Sequence, residues 1–408
     1  MMEFQECMGG ITAPRGFRAA GVHCGLKRHT KDLALIVSDV PAVAAAMFTT
    51  NKVQAAPLLV DQEQLKTGST FRAVVVNSGN ANAATGEKGL EDAWTMVNET
   101  ASLVGVAPTE VFVSSTGVIG QYLPMEKVIA GIKQAAKLLS KDHHSDAAQA
   151  IMTTDTFPKE VAVRLTLAGA TVTIGGVAKG SGMIAPQLAG PPHATMLAYV
   201  TTDAVISQVL LQSVLEKGVS QSLNRITVDG DTSTNDTILA LANGTAGNAP
   251  LEAGSPDLEA FSAAFEALLK KLAKMIARDG EGATKLIEIT VTGARSEEEA
   301  AKAASAIARS NLVKTAVHGE DANWGRILAA VGYSGIDFNP AETMIYFGDL
   351  KILGKNYSIE FSEEEAKKIL AKCQVKLTVQ LNSGPCSATF WTCDLSKEYV
   401  RINASYRS

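Results

Sequence analysis

Hydrophobic positions along this chain fall into two alternating rhythms. Continuous or every-other apolar runs at 32–39 (DLALIVSD), 45–50 (AAMFTT) and 71–79 (FRAVVVNSG) predict strands. Three-and-four spacing over 90–104 and 125–139 predicts helices, with a strand, VFVSSTG, between them. The segment 160–180 reads as a strand pattern interrupted by a Gly turn, and 196–204 (MLAYVTTDA) as a buried strand. The pattern then predicts a helix over 207–216, a strand at 224–231 (NRITVDGD), a polar loop at 244–256 and a helix over 258–277. Lys270, Lys271 and Lys274 fall on the wet side of that last helix and read as a solvated face. Another helix over 296–309 opens on Ser296 followed by three glutamates, a capped and dipole-matched start. The tail, 375–402, reads as strands. Strands alternating with helices in this way predict an α/β protein.

Composition narrows the class. A chain of 408 residues that is 46% hydrophobic, with 34 glycines, can bury a large core in two or more subdomains. With 37 Lys and Arg against 42 Asp and Glu, the net charge of -5 argues against a broad nucleic-acid or anionic-membrane surface. No apolar run is long enough to span a bilayer, and the N-terminal residues MMEFQECMGG lack the basic and apolar regions of a signal peptide, so a cytoplasmic protein is expected. Five cysteines, without a CxxC pair, suggest neither a disulfide framework nor a zinc site.

One peptide bond has unusual surroundings. Ala194-Thr195 follows a stretch rich in small residues that holds a single cation, Lys179, and the pair Pro191-Pro192. A threonine hydroxyl needs an adjacent base, and a threonine freed at its own α-amino group carries that base within the same residue. The alternative is that ATML simply opens a buried strand or helix. Taken alone, Thr116-Gly117 in SSTGVIG reads as an ordinary strand-to-helix turn. Taken alone, Lys179 and Glu281 read as a surface charge pair, although the Gly-rich flanks and apolar neighbours of Lys179 favour its burial beside a ligand. Asn77, Asn80 and Asn82 with Gly79 suit a tight turn whose amides bond to backbone. The acidic segment at 229–237 matches a calcium loop only loosely, without the terminal Glu, and 175–181 does not match a phosphate loop, so neither a metal nor a nucleotide cofactor is expected.

Eight collinear motifs, VNSGNANAATG (76–86), SSTGVIG (114–120), MTTDTFPK (152–159), VAKGSGMIAP (177–186), ATMLAYVTTDA (194–204), RDGEGATK (278–285), HGEDANWGR (318–326) and NASYRS (403–408), resemble the ArgJ family from about residue 10 onward. The resemblance implies a layered α/β sandwich of the ArgJ/DmpA-like type, with N-terminal-nucleophile-like self-processing. It implies cleavage between Ala194 and Thr195 into an α chain, 1–194, and a β chain, 195–408, whose C-terminal subdomain covers roughly 290–408. It further implies acetyl transfer from N2-acetylornithine to glutamate in arginine biosynthesis, through an acetyl ester on Thr195, with acetyl-CoA as a further donor in some members. Thr116 and Gly117 match the family's oxyanion pair. The substrate contacts fall on Thr153, with Thr154 as a one-residue alternative, and on Lys179, Thr195, Glu281, Asn403 and Ser408. The implied assembly is two α and two β chains. One spacing departs from the family: five extra residues separate Pro186 from Thr195, with Gly190 where the usual Thr would align. The rival readings are an amidohydrolase or aminopeptidase with water as acceptor, and an unprocessed, non-catalytic amino-acid-binding protein.

Overall fold

The computed structural model describes residues 4–188 and 196–405. The chain divides into two compact units, the first comprising 1–224 and 232–272 and the second 225–231 and 273–408. Ala194-Thr195, with the rest of the inserted segment, and Ser408 lie outside the described residues.

The first unit contains strands β1 (Phe4–Glu6), β2 (Phe17–Val22), β3 (Leu33–Phe48), β4 (Phe71–Asn80), β5 (Val111–Val118), β6 (Lys159–Leu167), β7 (Ala170–Lys179), β8 (Leu197–Thr202) and β9 (Thr237–Ala242). Their order is β1-β6-β7-β8-β9-β3-β4-β5, with β2 on the outer part of β3. The long strand β3 makes this one sheet act as two leaves. Its first half pairs with β2 and β4, its second half with β9, and the register slips between Val37 and Ala42. The polar break SDVP separates two apolar runs in the sequence, and the expected pair of strands is instead one strand passing through a bulge from leaf to leaf.

Alternation along β3 then sorts the side chains. Ala34 and Ile36 face inward with Val74, Val76 and Phe112, against Val177, Leu197, Tyr199, Leu239 and Leu241 of the other leaf. Leu33, Leu35 and Val37 face outward with Ala73, Val75 and Val113. That outer face is covered by helices α2 (Gly86–Val104) and α3 (Met125–Lys137), through Ala93, Met96, Val97, Val128 and Ile132. Both faces of the leaf are thus dry, which accounts for the continuous apolar runs. Helices α1 (Ala56–Thr67), α4 (His144–Ala150), α5 (Gln208–Ser220) and, as far as Leu272, α6 (Pro256–Arg278) complete the unit. Leu268 and Leu272 of α6 lie where a Cβ on Gly176 of β7 would be, and Gln212 of α5 bonds both the amide and the carbonyl of Ala46. The result is the layered α/β arrangement expected from the sequence, two leaves between two helical layers.

The second unit is built on a sheet of order β12-β11-β13-β10-β14, formed by β10 (Leu286–Ala294), β11 (Met344–Phe347), β12 (Leu350–Leu353), β13 (Gln374–Gln380) and β14 (Cys386–Cys393). Its helices are α7 (Glu297–Arg309), α8 (Asn311–His318), α9 (Trp324–Gly332), α10 (Glu363–Leu370) and α11 (Lys397–Ala404). Ser296 caps α7 as expected, accepting from the Glu299 amide at 3.1 Å. The core joins Ile287, Ile289 and Val291 of β10 to Ala300, Ala303, Ala304 and Ile307 of α7.

Two expectations are corrected here. The segment 224–231 is a short helical turn with one bridge, Ile226 to Trp391, because Gly230 turns the chain at φ +84° before pairing can extend. The last turns of the tail, 397–404, are a helix, capped by Ser396, although Val400 and Ile402 alternate as in a strand; Val400 is exposed, so the alternation reflects no buried face. Among the described residues, no helix is long and apolar enough to cross a membrane.

Candidate active site

In the first unit the strand register brings the expected residues to one end of the sheet. β6 and β7 pair antiparallel, setting Lys159 opposite Ala178, and β7 and β8 set Lys179 opposite Leu197. Lys179 therefore sits opposite a residue two positions after Thr195 in the chain. The Met196 carbonyl accepts from the Thr237 amide at 2.7 Å, which fixes the first described residue after the insertion.

The Lys179 ammonium, 4% exposed, donates to Thr153 Oγ1 at 2.9 Å and to Thr116 Oγ1 at 3.4 Å. Three of the expected site residues are thus in direct contact. The Asp155 carboxylate holds them there: it accepts from Lys159 Nζ at 2.6 Å, from the Gly180 amide at 2.8 Å and from the Thr153 amide at 2.9 Å, and lies 4.0 Å from Lys179 Nζ. Burial would raise its proton affinity, but Lys179 and Lys159 outweigh that and hold the carboxyl well below the usual carboxylate range. Asp155 is therefore an anion at any working pH, and the Thr153 hydroxyl contact rests on the first Thr of TTDT.

Thr116 is buried, and the turn beside it is set by glycine. β4 and β5 run parallel with Ser78 opposite Thr116 and Gly79 opposite Gly117. Gly79 has φ +102° and Gly117 φ +136°, conformations that side chains resist. The asparagines lock the same turn, as the sequence suggested: Asn77 Nδ2 donates to the Asn80 carbonyl, and Asn80 Oδ1 accepts from the Asn82 amide, each at 2.8 Å.

A cation that sequence reasoning missed borders this cluster. Lys27, in the loop joining β2 to β3, donates from Nζ to the Met152 carbonyl at 2.9 Å, one residue before Thr153, and its stem lies against Gly79. Its loop is gathered by Asp32, whose carboxylate accepts four amides, those of Cys24, Gly25, Leu26 and Lys27, at 2.6 to 3.1 Å. Burial brings the Lys27 ammonium down to about 8, against the upward pull of Asp32 and Asp155 and with Lys179 adding to the fall. Nothing in the segment CGLKRHTKD signals that an aspartate folds the loop back. Burial also pushes the Cys24 thiol up to about 12, so it is not a thiolate nucleophile.

Glu281 and Asn403 belong to the second unit, and they meet: Asn403 Nδ2 donates to Glu281 Oε2 at 2.7 Å and to the Tyr399 carbonyl at 3.0 Å. Glu281 is 7% exposed, and the helix α11 is what brings Asn403 to it. Thr195, Ala194 and Ser408 lie outside the described residues.

A family model described as the ArgJ family matches residues 18–408. Among curated relatives, the arginine biosynthesis bifunctional protein ArgJ of Symbiobacterium thermophilum is 52% identical over 403 residues, covering 98% of this chain and 99% of the relative. The protein of the same name from Bacillus subtilis is 48% identical over 400 residues, covering 98% and 97%. A solved ornithine acetyltransferase from Mycobacterium tuberculosis, complexed with ornithine, is 43% identical over 46% of this chain and 100% of its own, with a TM-score of 0.43. A family match over nearly all of the sequence, with relatives near half identity from end to end, establishes that this chain belongs to the ArgJ family.

Proposed function

We propose that this protein is an acyltransferase of arginine biosynthesis that moves the acetyl group of N2-acetyl-L-ornithine to L-glutamate by a ping-pong route through Thr195. The observation that carries the proposal is the Lys179 ammonium bonded to Thr116 and Thr153 on a strand whose pairing sets Lys179 opposite Leu197, two residues after Thr195. The names of the full-length relatives support the pathway.

Cleavage of the Ala194-Thr195 bond frees the Thr195 α-amino group. That amine takes the hydroxyl proton as Oγ attacks the acetyl carbonyl. The developing oxyanion accepts from Thr116 and the Gly117 amide, donors commonly worth about 3 to 4 kcal/mol each. The C–N bond then breaks, ornithine leaves with the returned proton, and an acetyl ester remains on Thr195. The glutamate amine attacks that ester, forms the new amide and restores the hydroxyl. Lys179 and Thr153 bind the substrate carboxylate, while Glu281, oriented by Asn403, accepts from the ornithine side-chain ammonium. Ser408 adds a contact at the chain end. The relatives' description as bifunctional supports acetyl-CoA as a second acetyl donor to the same threonine. The assembly proposed is two α and two β chains.

Labelled acetyl exchange between N2-acetylornithine and glutamate tests the reading. Acetylglutamate formation, lost together with self-cleavage in Thr195→Ala, is the expected result. Free acetate in place of acetylglutamate would establish a hydrolase instead, and transfer retained by Thr195→Ala would defeat the mechanism.

A further inference from the structure

Lys27 is placed as a bridge between two parts of the cluster. Its Cγ lies 3.1 Å from where a Cβ of Gly79 would be, on the turn that faces Gly117, and its ammonium reaches the carbonyl just before Thr153. The four-amide grip of Asp32 holds the backbone that carries it, so the reach is set by the loop rather than by a free surface side chain. Among the described residues, Lys27 makes no ion pair: Asp32 is taken up by its amides and His23, and the positive charge of Lys179 acts on the Lys27 ammonium.

We propose that Lys27 is a positioning residue of the acyl-transfer site: it fixes the Met152–Asp155 turn from which Thr153 and Asp155 hold Lys179, and it supplies a second positive charge for the substrate carboxylate. This rests on the acyl-transfer reading above. Two cations close together raise the local potential for a carboxylate more than either does alone. The groups that face Lys27 are Asp32 and Cys24 in its own loop, Asp155 after α4 and Lys179 at the end of β7. The Lys127 ammonium of α3 bonds the Gly25 carbonyl of the same loop. Lys27 loses its charge near pH 8, so its contribution to carboxylate binding is present below that pH and lost above it.

The test is acetyl transfer to glutamate measured across the pH range around 8 with the wild type, Lys27→Met and Lys27→Arg. The wild type is expected to show kcat/KM falling above about pH 8. Lys27→Arg, which stays charged throughout, should keep the activity at neutral pH and lose that fall. Lys27→Met should raise the KM for glutamate about tenfold with kcat within about threefold, as loss of a charge-assisted contact to the ground state requires. A wild-type KM in Lys27→Met, or a fall near pH 8 that persists in Lys27→Arg, would overturn the assignment. If Lys27→Met does not fold, the Lys27→Arg profile decides alone. Absence of transfer by the folded wild type is a different outcome, which overturns the acyl-transfer reading and the Lys27 assignment with it.

Discussion

A methyl group on Gly117 would lie 2.3 Å from the carbonyl carbon of Gly79, because the parallel register of β4 and β5 sets these two glycines face to face. At φ +136°, Gly117 also occupies backbone space that an L side chain resists. Gly117→Ala is therefore expected to push the two strand ends apart and move the Gly117 amide and Thr116 together. Transfer should fall by at least about a hundredfold, the scale of one lost oxyanion donor, while circular dichroism stays near that of the wild type. Activity within a factor of a few would show that this turn does not set the oxyanion donors.

Asp155 offers a test of stability. Its side chain and that of Lys159 are both fully buried and 2.6 Å apart. Its folded proton affinity lies below the unfolded value, so its contribution is present above the ordinary carboxyl range and lost only as pH falls through the depressed value. Asp155→Asn removes that contribution at neutral pH and should cost about 3 to 5 kcal/mol, measured by urea unfolding. A loss below 1 kcal/mol would show that Lys159 and Lys179 do not depend on this carboxylate.

Asp61 of α1 behaves in the opposite sense. Its Oδ1 accepts from the Val113 amide at 2.8 Å, while Oδ2 is buried and has no hydrogen-bond partner among the described residues. Burial raises the carboxyl's proton affinity well above its ordinary value. For an acid raised in the folded state, stability is greatest below the unfolded value and declines as pH rises toward the folded one. Asp61→Asn keeps the acceptor for Val113 and has no proton to lose. The melting temperature of this variant relative to wild type should therefore rise as pH is taken from 5 to 8; a constant difference would mean that the folded protein holds no more protons at Asp61 than the unfolded chain in that range.

Glu281 and Asn403 form a pair in the second unit. With Asn403→Ala, the Glu281 carboxylate loses its orienting amide. The proposed result is a rise of about tenfold in KM for N2-acetylornithine with little change in KM for glutamate, because only ornithine carries the side-chain ammonium. Equal changes for both substrates would assign Asn403 a general structural role.

The α/β class was legible from apolar patterning, and the layered type and the names Thr116, Thr153 and Lys179 from motif resemblance, but the contacts that Lys179 makes with the two threonines were not. Three further kinds of information were also hidden. β3 reads as two strands, since a bulge at a polar SDVP segment leaves no trace in periodicity. The helix 397–404 reads as a strand, because Val400 and Ile402 alternate by chance on an element that is mostly exposed. Lys27 and Asp155 depend on tertiary folding, in which a carboxylate gathers backbone amides that no local pattern marks.

The sheet order also bears on what processing would produce. Counted along the chain, β1 through β7 precede residue 194 and β8 and β9 follow it, yet β8 and β9 lie between β7 and β3 and hydrogen-bond to both. A cut at 194–195 would thus leave two polypeptides laced through one continuous hydrogen-bonded sheet. They should migrate as separate bands only after denaturation, and neither should be obtainable as a folded protein from its own expression.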